Sequence, residues 1–545
     1  VYVENLCREG LLSADQRQVA ERESFLKNIS LEQALLELGF ISEQVLVEFK
    51  ASLGDVEEIN LSKTVLDTAL LKQFPKALAI QHQILPIALK DGALEIAMSD
   101  PFNIVGMDVL RRHLSTSLPF LKRLAPLSHV LEAIDLHYGP SETFKELLQE
   151  MDAATSDTKD SPVIRMVNMF LWDAVGKKAS DIHLEPQGRF VRVRYRLDGD
   201  LQNVLTFHKV YWPALIIRFK VMAGLNIAEG RRPQGGSFTF YVRGRDVDFR
   251  LSTHPVVEGE SLVVRILDKS YSLRRLEDLG LTREVADFLV SSAEKSHGMV
   301  VVTGPTGSGK TTTLYSLLAQ IQKPTLNIMT LEQPVEYKMS GIRQTEIQEE
   351  AGITFAQGIR SILRHDPDVI LVGEIRDPDT AMMAVRASIT GHQVLTTLHT
   401  QDVFGVLARL KDLGILLPML EGHLSLIFSQ RLLKQLCEAC KKPRAPLAWE
   451  RQLVLQKGVS DFDVLYEKQG CPACSHKGYQ GRFAIGEALH IATMLPPSFA
   501  DLRVEDLREY ALKKGLKTLG VRAFEAVKAG RTSLDQALLS EAFEP

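Results

Sequence analysis

Residues 304–311 read Gly-Pro-Thr-Gly-Ser-Gly-Lys-Thr, the spacing GxxxxGK[ST]. Glycines let such a loop wrap close to phosphate with its backbone N–H groups turned inward. Lys310 can then reach the β- and γ-phosphates of a nucleoside triphosphate, and the Thr311 hydroxyl can bind Mg²⁺. Gly304, Pro305, Thr306, Gly307, Ser308, Gly309, Lys310, Thr311 and Thr312 are therefore the candidate nucleotide contacts. A chance Gly-rich turn would match the pattern but not its surroundings, because a β-branched run, Met299–Thr303, leads in and a helical pattern leads out. Two further groups carry potential chemistry. Glu374 closes the apolar run Val369–Val372, where a carboxylate beside the loop can hold Mg²⁺ or orient water, although a plain surface Glu is the alternative. Cys437-Glu-Ala-Cys440 and Cys471-Pro-Ala-Cys474 form CxxC…CxxC, which can complete a four-sulfur shell around Zn²⁺. With all four positions filled by protein, that role is structural; a redox pair is the alternative.

Weaker candidates lie nearby. Glu332 and Glu336 follow a third apolar run and are otherwise ordinary loop carboxylates. His392 and His399 flank Gln393–Leu398, with Thr396 and Thr397 as hydroxyl donors, and together read as a γ-phosphate sensor.

The elements that must position these groups can be read from periodicity. From Gly298 onward, apolar strand-like runs alternate with helical patterns, as in a mainly parallel α/β sheet. Upstream, Val191–Leu197 alternates strictly, placing Arg192, Arg194 and Arg196 on one strand face and Val191, Val193 and Tyr195 on the other. A second alternating run, Val242–Leu251, extends that sheet domain. Near the start, Leu31–Gly39 has helical spacing with Gly39 as C-cap, and Asp91-Gly92 sits between two alternating runs as a hairpin turn. Met151–Ser161 is small and polar and reads as a linker.

At 545 residues the chain is too long for one core, and its 45% hydrophobic and 24% charged content is that of globular protein. A formal charge of −4 offers no global basic field, and basic–aromatic interleaving is lacking, so nucleic acid is not the expected partner. No run of apolar residues is long enough to span a bilayer, and no signal pattern opens the chain, so a cytoplasmic location is expected. Because the first residue is Val1 rather than Met, the chain is expected to begin inside a longer reading frame.

In combination, these motifs resemble the ATPase family of type II secretion and type IV pilus assembly. The loop at 304–311, Glu332–Glu336, Arg364–Asp377 and Thr390–His399 are similar to that family's Walker A, aspartate, Walker B and histidine boxes. Gln430-Arg-Leu432, the CxxC pairs and Gly478–Arg482 look like its secretion and pilus-extension branch. Ala179–Pro186 and Arg194–Gly199 resemble its second N-terminal domain, and Ala97–Pro101 matches its first more loosely. The resemblance implies an α/β fold with a RecA-like P-loop core, a preceding PAS-like α+β domain, an N-terminal α+β module and a four-cysteine zinc subdomain. It implies a partner-docking domain over 1–145, a linker over 146–161, a PAS-like domain over 162–270 and the ATPase domain over 271–435. The zinc subdomain then covers 436–490 and a helical region 491–545.

The expected cofactors are ATP, Mg²⁺ and Zn²⁺. Lys310, Glu374, Glu336 and His399 would be catalytic, with Glu332 and His392 at the nucleotide. By analogy, Arg196 and Arg218 would complete the site from the PAS-like domain. The expected assembly is a homohexamer held at the inner membrane by platform and adaptor proteins. A nucleotide-binding scaffold with little turnover is the alternative, and a nucleic-acid motor a more distant one. Three departures stand out. Gln333 replaces the family's usual Asp, Pro233-Gln-Gly-Gly-Ser237 replaces Pro-Gln-Asp-Gly-Arg, and the Arg-Leu-Gly pattern by which some relatives bind a cyclic dinucleotide is not intact. No such dinucleotide regulation is expected.

Overall fold

The structure, a computed structural model, describes residues 6–541 other than 28, 62, 63, 65, 91, 115, 117, 139–142, 154–161, 243, 244, 269–274, 349–351, 461, 475 and 500. The chain divides into two compact units, Val1–Asp268 and Lys269–Pro545.

The first unit begins with short helices. Helix Leu31–Glu37 starts where the Ser30 hydroxyl accepts the Gln33 N–H, and it ends as expected at Gly39, whose φ of 67° suits a residue without Cβ. Four strands follow: β1 (Glu57–Glu58), β2 (Ile84–Lys90), β3 (Ala93–Met98) and β4 (Phe120–Leu124), in the order β1-β4-β3-β2. β2 and β3 pair antiparallel as the Asp-Gly signal predicts, though Asp91 itself lies outside the described residues.

The rest of this unit is a six-stranded antiparallel sheet. Its strands are β5 (Asp181–Gln187), β6 (Phe190–Leu197), β7 (Asp200–His208), β8 (Gln234–Val242), β9 (Arg245–Val256) and β10 (Gly259–Leu267), ordered β7-β6-β5-β10-β9-β8. In β6, Val191, Val193 and Tyr195 are fully buried while the arginines face the other side. Of the alternating run Val242–Leu251, Val242 ends β8 and Arg245–Leu251 belong to β9, which pairs antiparallel with β8, Val242 opposite Arg245.

The stretch expected as a linker, 146–161, opens as a helix instead. Phe144–Ala153 is helical, Phe144 stacks on Phe170 at 5.1 Å, and Leu147 is buried; positions 154–161 lie outside the described residues. The apolar face of this helix, rather than the polar tail behind it, decides its fate.

The second unit is built on seven strands: β11 (Gly298–Thr303), β12 (Ile328–Glu332), β13 (Arg343–Glu346), β14 (Val369–Val372), β15 (Gln393–Leu398), β16 (Leu424–Leu436) and, later, β19 (Tyr479–His490). Between β16 and β19, β17 (Lys442–Arg444) and β18 (Leu465–Glu467) form a two-stranded ribbon. The order is β13-β12-β14-β15-β11-β16-β19, parallel throughout except for antiparallel β19 at the edge. Successive residues of each parallel strand serve opposite faces. Val300, Val302, Leu371 and Phe428 pack with helices Arg283–Ala293 and Lys310–Ile321. Met299, Val301, Ile370 and Val372 pack with helices Pro378–Ile389 and Val403–Asp412. Burial on both faces explains why these strands read as continuous apolar runs.

The loop after helix Leu519–Lys528 returns to the sheet: the Leu436 N–H donates to the Arg531 carbonyl (2.9 Å), and the Thr532 hydroxyl to the Lys434 carbonyl (2.8 Å). Among the described residues, no helix is long and apolar enough to cross a membrane.

Candidate functional site

In parallel sheets the loops at the C-terminal strand ends form the binding edge. Here β11 runs into the loop 304–309, and helix Lys310–Ile321 leaves it with Gly309 as cap and no capping side chain. The first-turn N–H groups therefore have no partner within the helix. Gly304, Gly307 and Gly309 have φ of 145°, 79° and 88°, values that a side chain would strain. Two of them are also closely approached: a Cβ on Gly304 would lie 2.6 Å from the Gln430 carbonyl, and one on Gly309 2.9 Å from Gln430 Nε2. The cradle, the helix end and the exposed Thr311 hydroxyl fit a nucleotide with its Mg²⁺.

Four side chains form one linked row at this edge. Lys310 Nζ donates to the carbonyls of Gly304 (2.7 Å) and Pro305 (3.2 Å) and stands 3.5 Å from His399 Nδ1. His399 Nε2 is 3.4 Å from Glu374, and the other Glu374 oxygen pairs with Arg376 at 2.5 Å. Because the ammonium can only donate, His399 Nδ1 is the acceptor and the proton sits on Nε2, facing Glu374. Burial, with the Lys310 charge second, holds His399 below the ordinary histidine range, so this neutral tautomer is the stable one. Burial likewise lowers Lys310, with Glu374 opposing and Arg431 adding to the effect.

Sequence-distant hydrogen bonds hold the row in place. Thr400 N–H donates to the Thr303 hydroxyl (2.9 Å), pinning His399 beside the end of β11. Thr397 Oγ1 donates to the Gly373 carbonyl (2.7 Å), locating Glu374. Thr397 is thus occupied with backbone, whereas Thr396 is fully buried, its hydroxyl without a hydrogen-bond partner among the described residues and shut off from the loop edge. Asp377 caps helix Pro378–Ile389 by accepting the Thr380 N–H and has a structural place.

Two predicted contacts are elsewhere. His392 lies at the opposite end of β15 from His399, and its carbonyl accepts the Gly298 N–H at the start of β11 (3.2 Å). At about 3.3 Å rise per residue, the six residues of β15 put the two histidines roughly 20 Å apart, too far to act together. Glu332 is 4% exposed and turned toward the core. It accepts from Tyr315 Oη, from Thr330 Oγ1 (2.6 Å) and from Gln344 Nε2 (3.2 Å). Glu336 is half-buried in the loop beyond β12.

Three residues of this edge fall within the family-like stretches of the sequence but carry no assigned role there. Gln430, 1% exposed, accepts from Thr313 Oγ1 (2.6 Å) and donates from Nε2 to the Ser308 carbonyl (2.8 Å), clamping the loop to its helix. Arg431 donates to the Gln401 carbonyl (2.7 Å). Arg376 reaches from Glu374 to Gln333 Oε1 (3.4 Å), so the departure at 333 replaces a charged neighbour of Arg376 with a neutral acceptor. Two adjacent polar residues inside the apolar run of β16 were the available signal, since buried polar groups have a partner.

Arg196 and Arg218 belong to the first unit. Arg196 donates to the Gly199 carbonyl (2.8 Å) and lies 3.5 Å from Asp181. Arg218 is half-buried on helix Trp212–Met222, with its Nε buried and unpartnered among the described residues. Within 233–237 the structure accounts for two positions that keep the family residue: Gln234 clamps the preceding loop through Asn226 and Glu229, and a Cβ on Gly236 would lie 2.5 Å from the Ala223 carbonyl, whereas nothing in the structure explains Gly235 and Ser237.

The four cysteines converge, all Sγ atoms lying within 4.8 Å of one another. Cys437–Cys471, Cys440–Cys474 and Cys471–Cys474 are 3.9, 3.8 and 3.8 Å apart. A tetrahedral shell with metal–sulfur bonds of about 2.3 Å has edges of about 3.8 Å, so the cluster can hold a metal ion. Backbone N–H groups of Gly470 and Gly478 donate to Cys440 and Cys474 at 3.3 and 3.2 Å, as thiolate ligands require. Burial pushes the Cys437 thiol up to about 12. Cys474, against the same burial, is brought down to about 6 by the Cys471 and Gly478 N–H groups.

Comparison with known proteins agrees with this geometry. A family model described as "Type II/IV secretion system protein" matches residues 156–539, and an MshEN domain model matches 54–144. The chain is 36% identical to the type IV pilus assembly ATPase PilB of Myxococcus xanthus, over 98% of each chain. It is 40% identical to the type II secretion system ATPase E of Vibrio cholerae, over 72% of this chain and 78% of that one. Among solved structures, the Legionella pneumophila ATPase DotB superposes with a TM-score of 0.52 at 21% identity, covering 71% of this chain and 98% of that chain, a likeness of fold.

Proposed function

This chain belongs to the family of type II secretion and type IV pilus assembly ATPases, and from that premise we propose that it is the motor of a pilus or secretion machine, hydrolysing ATP to drive a membrane platform protein. Correspondence over its whole length with a pilus assembly ATPase, against about three quarters with the secretion ATPases, favours the pilus. The observation that carries the reading is the row Lys310–His399–Glu374 beside an uncapped helix start.

The nucleotide lies in the 304–311 loop, which supplies N–H donors, while Lys310 leaves the carbonyls of Gly304 and Pro305 for the β- and γ-phosphates. Thr311 would hold Mg²⁺, which when bound would supply positive charge against the phosphates. Glu374, relieved of Arg376, orients the attacking water, and neutral His399 relays between Glu374 and Lys310 as the γ-phosphate departs. Glu336 is the second candidate for orienting water. Glu332 we assign to holding Tyr315 of helix Lys310–Ile321 rather than to the nucleotide, and His392 to the opposite end of β15. The core is RecA-like and the antiparallel domain PAS-like, with Arg196 and Arg218 completing the site in a homohexamer. That ring is cytoplasmic and attached peripherally to the inner membrane through platform and adaptor proteins. Zinc in the four-cysteine shell leaves no open position and is structural.

The test is turnover. Lys310→Ala should abolish hydrolysis, and Glu374→Gln should bind ATP yet turn it over at least about a hundredfold more slowly. Normal turnover in Lys310→Ala would dismiss the site, and failure of a platform protein's cytoplasmic part to change the rate would dismiss the proposed partner.

A further inference from the structure

A small cavity in the second unit takes no part in the chemistry above. It holds about 140 Å³ between residues 280–285, the middle of β19 and helix Leu519–Lys528. Its walls are largely aliphatic, from Leu281, Val285, Ala484, Ile485 and Ala526, yet two guanidinium groups, Arg522 and Arg531, and one carboxylate, Glu525, are set into them.

The two arginines differ. Arg522, 8% exposed, is neutralised: it donates to Glu284 at 2.8 Å and to Glu525 at 3.4 Å. Arg531 pairs with no carboxylate among the described residues. One Nη donates to the Gly280 carbonyl (3.0 Å), and the guanidinium lies 4.0 Å above the Phe483 ring. Among the described residues, no hydrogen bond is made by its Nε or its remaining Nη. The bond from Leu436 N–H to the Arg531 carbonyl and that of the neighbouring Thr532 fix the backbone beneath it. The result is a planar two-donor fork held still at the wall of an apolar cavity. Burial without a counter-ion pulls this guanidinium below its ordinary range, so an anion here is favourable.

Such a fork matches an oxyanion bidentately, and the remaining walls choose which kind. A phosphate would press its other oxygens against Val285 and Ile485 without hydrogen bonds, which is costly. A carboxylate has no further oxygens, and its carbon chain can bury itself on those walls. We infer that this cavity is a binding site for a small carboxylate bearing a short aliphatic group, held by Arg531. The source is either a free acid or the terminal carboxylate of a polypeptide. Bound there, it would bridge segment 280–285 to helix Leu519–Lys528.

The test uses the full chain without nucleotide, titrated by calorimetry with butyrate, with N-acetylleucine and with inorganic phosphate. Saturable binding of butyrate or N-acetylleucine is expected, and whichever binds more tightly identifies the source as free acid or chain terminus. Arg531→Gln should weaken it about tenfold or more. Ala529→Met, which fills the exposed rim, should block it while leaving nucleotide affinity and the melting temperature unchanged, so that a folding defect in Arg531→Gln does not obscure the result. Three results would overturn the inference: no saturable binding of either carboxylate, phosphate binding more tightly than both, or binding that survives Ala529→Met.

Discussion

The clamp made by Gln430 can be tested by Gln430→Leu. Leucine fills much the same volume but offers neither donor nor acceptor, so the Thr313 hydroxyl, 0% exposed, and the Ser308 carbonyl lose their partner together. Each buried polar group left unsatisfied costs about 1–3 kcal/mol, which puts the change at about 2–6 kcal/mol. The two shares fall differently. Thr313 lies inside the helix, and its loss lowers global stability. Ser308 lies in the phosphate loop, which can relax toward water and so abandon the shape that receives nucleotide. If about 1.4 kcal/mol of the total is felt there, the affinity falls about tenfold. The assay is titration of the full chain with a fluorescent ATP analogue, paired with thermal denaturation. Both a weaker Kd and a lower Tm are expected. Adding Thr313→Val should then cost little more, because the bond it would remove is already gone, and a double-mutant cycle should show coupling of about 1 kcal/mol. Unchanged affinity and Tm in Gln430→Leu, or simple additivity in the cycle, would refute the clamp.

Other expectations follow from the same geometry. His399 is held below its ordinary pKa, so the folded protein binds fewer protons there than the unfolded chain; its neutral form persists as pH falls through about 6.5 and is lost only below that. ATP turnover should therefore be flat through the ordinary histidine range and decline under stronger acid, and His399→Gln should remove that acid limb; a midpoint near 6.5 contradicts the assignment. Gly486→Ala would place a Cβ 2.0 Å from the buried Phe428 ring, and a loss of about 1–3 kcal/mol should appear as a lower Tm in calorimetry. Cys437→Ser should abolish stoichiometric zinc measured by elemental analysis and lower the Tm, whereas zinc content equal to that of the unsubstituted protein would exclude the four-cysteine site.

What the sequence revealed was mostly what is local in the chain. The loop 304–311 is continuous, and each cysteine pair brings its own knuckle, so motif spacing is nearly spatial spacing. The alternating arginines of β6 were legible because a strand's two faces are written directly in period two. His392 misled because seven residues are close in sequence but span the whole sheet when extended. Glu332 ends its strand at the right edge, yet side-chain direction sent it to Tyr315, and nothing in the run Ile328–Glu332 encodes that. Gln430 acts on a loop more than a hundred residues away, and Arg431 on Gln401 thirty residues away; only the folded sheet makes them neighbours. The helix at 144–153 was obscured by the polar residues behind it, although Phe144, Leu147 and Leu148 supply an apolar stripe.

The antiparallel edge has a consequence for synthesis. β16 extends past β11, and from Arg431 to Leu436 its pairing partner is β19, with Leu436 opposite Tyr479. A ribosome that has released Leu436 has therefore exposed a strand whose mate has yet to be translated, and an unpaired edge invites pairing with a foreign chain. The residues made in the interval are those that bring the cysteines together, and the Cys437 N–H finally meets the Gly478 carbonyl at 2.9 Å. Were one metal ion to gather the four thiolates, it would tie the neck of this excursion and bring Tyr479 toward its place in register, replacing the closure of a long loop by that of a short one. The cluster would then act as a timer on the nascent chain, and metal starvation would show first as aggregation of newly made protein, before any effect on molecules already folded.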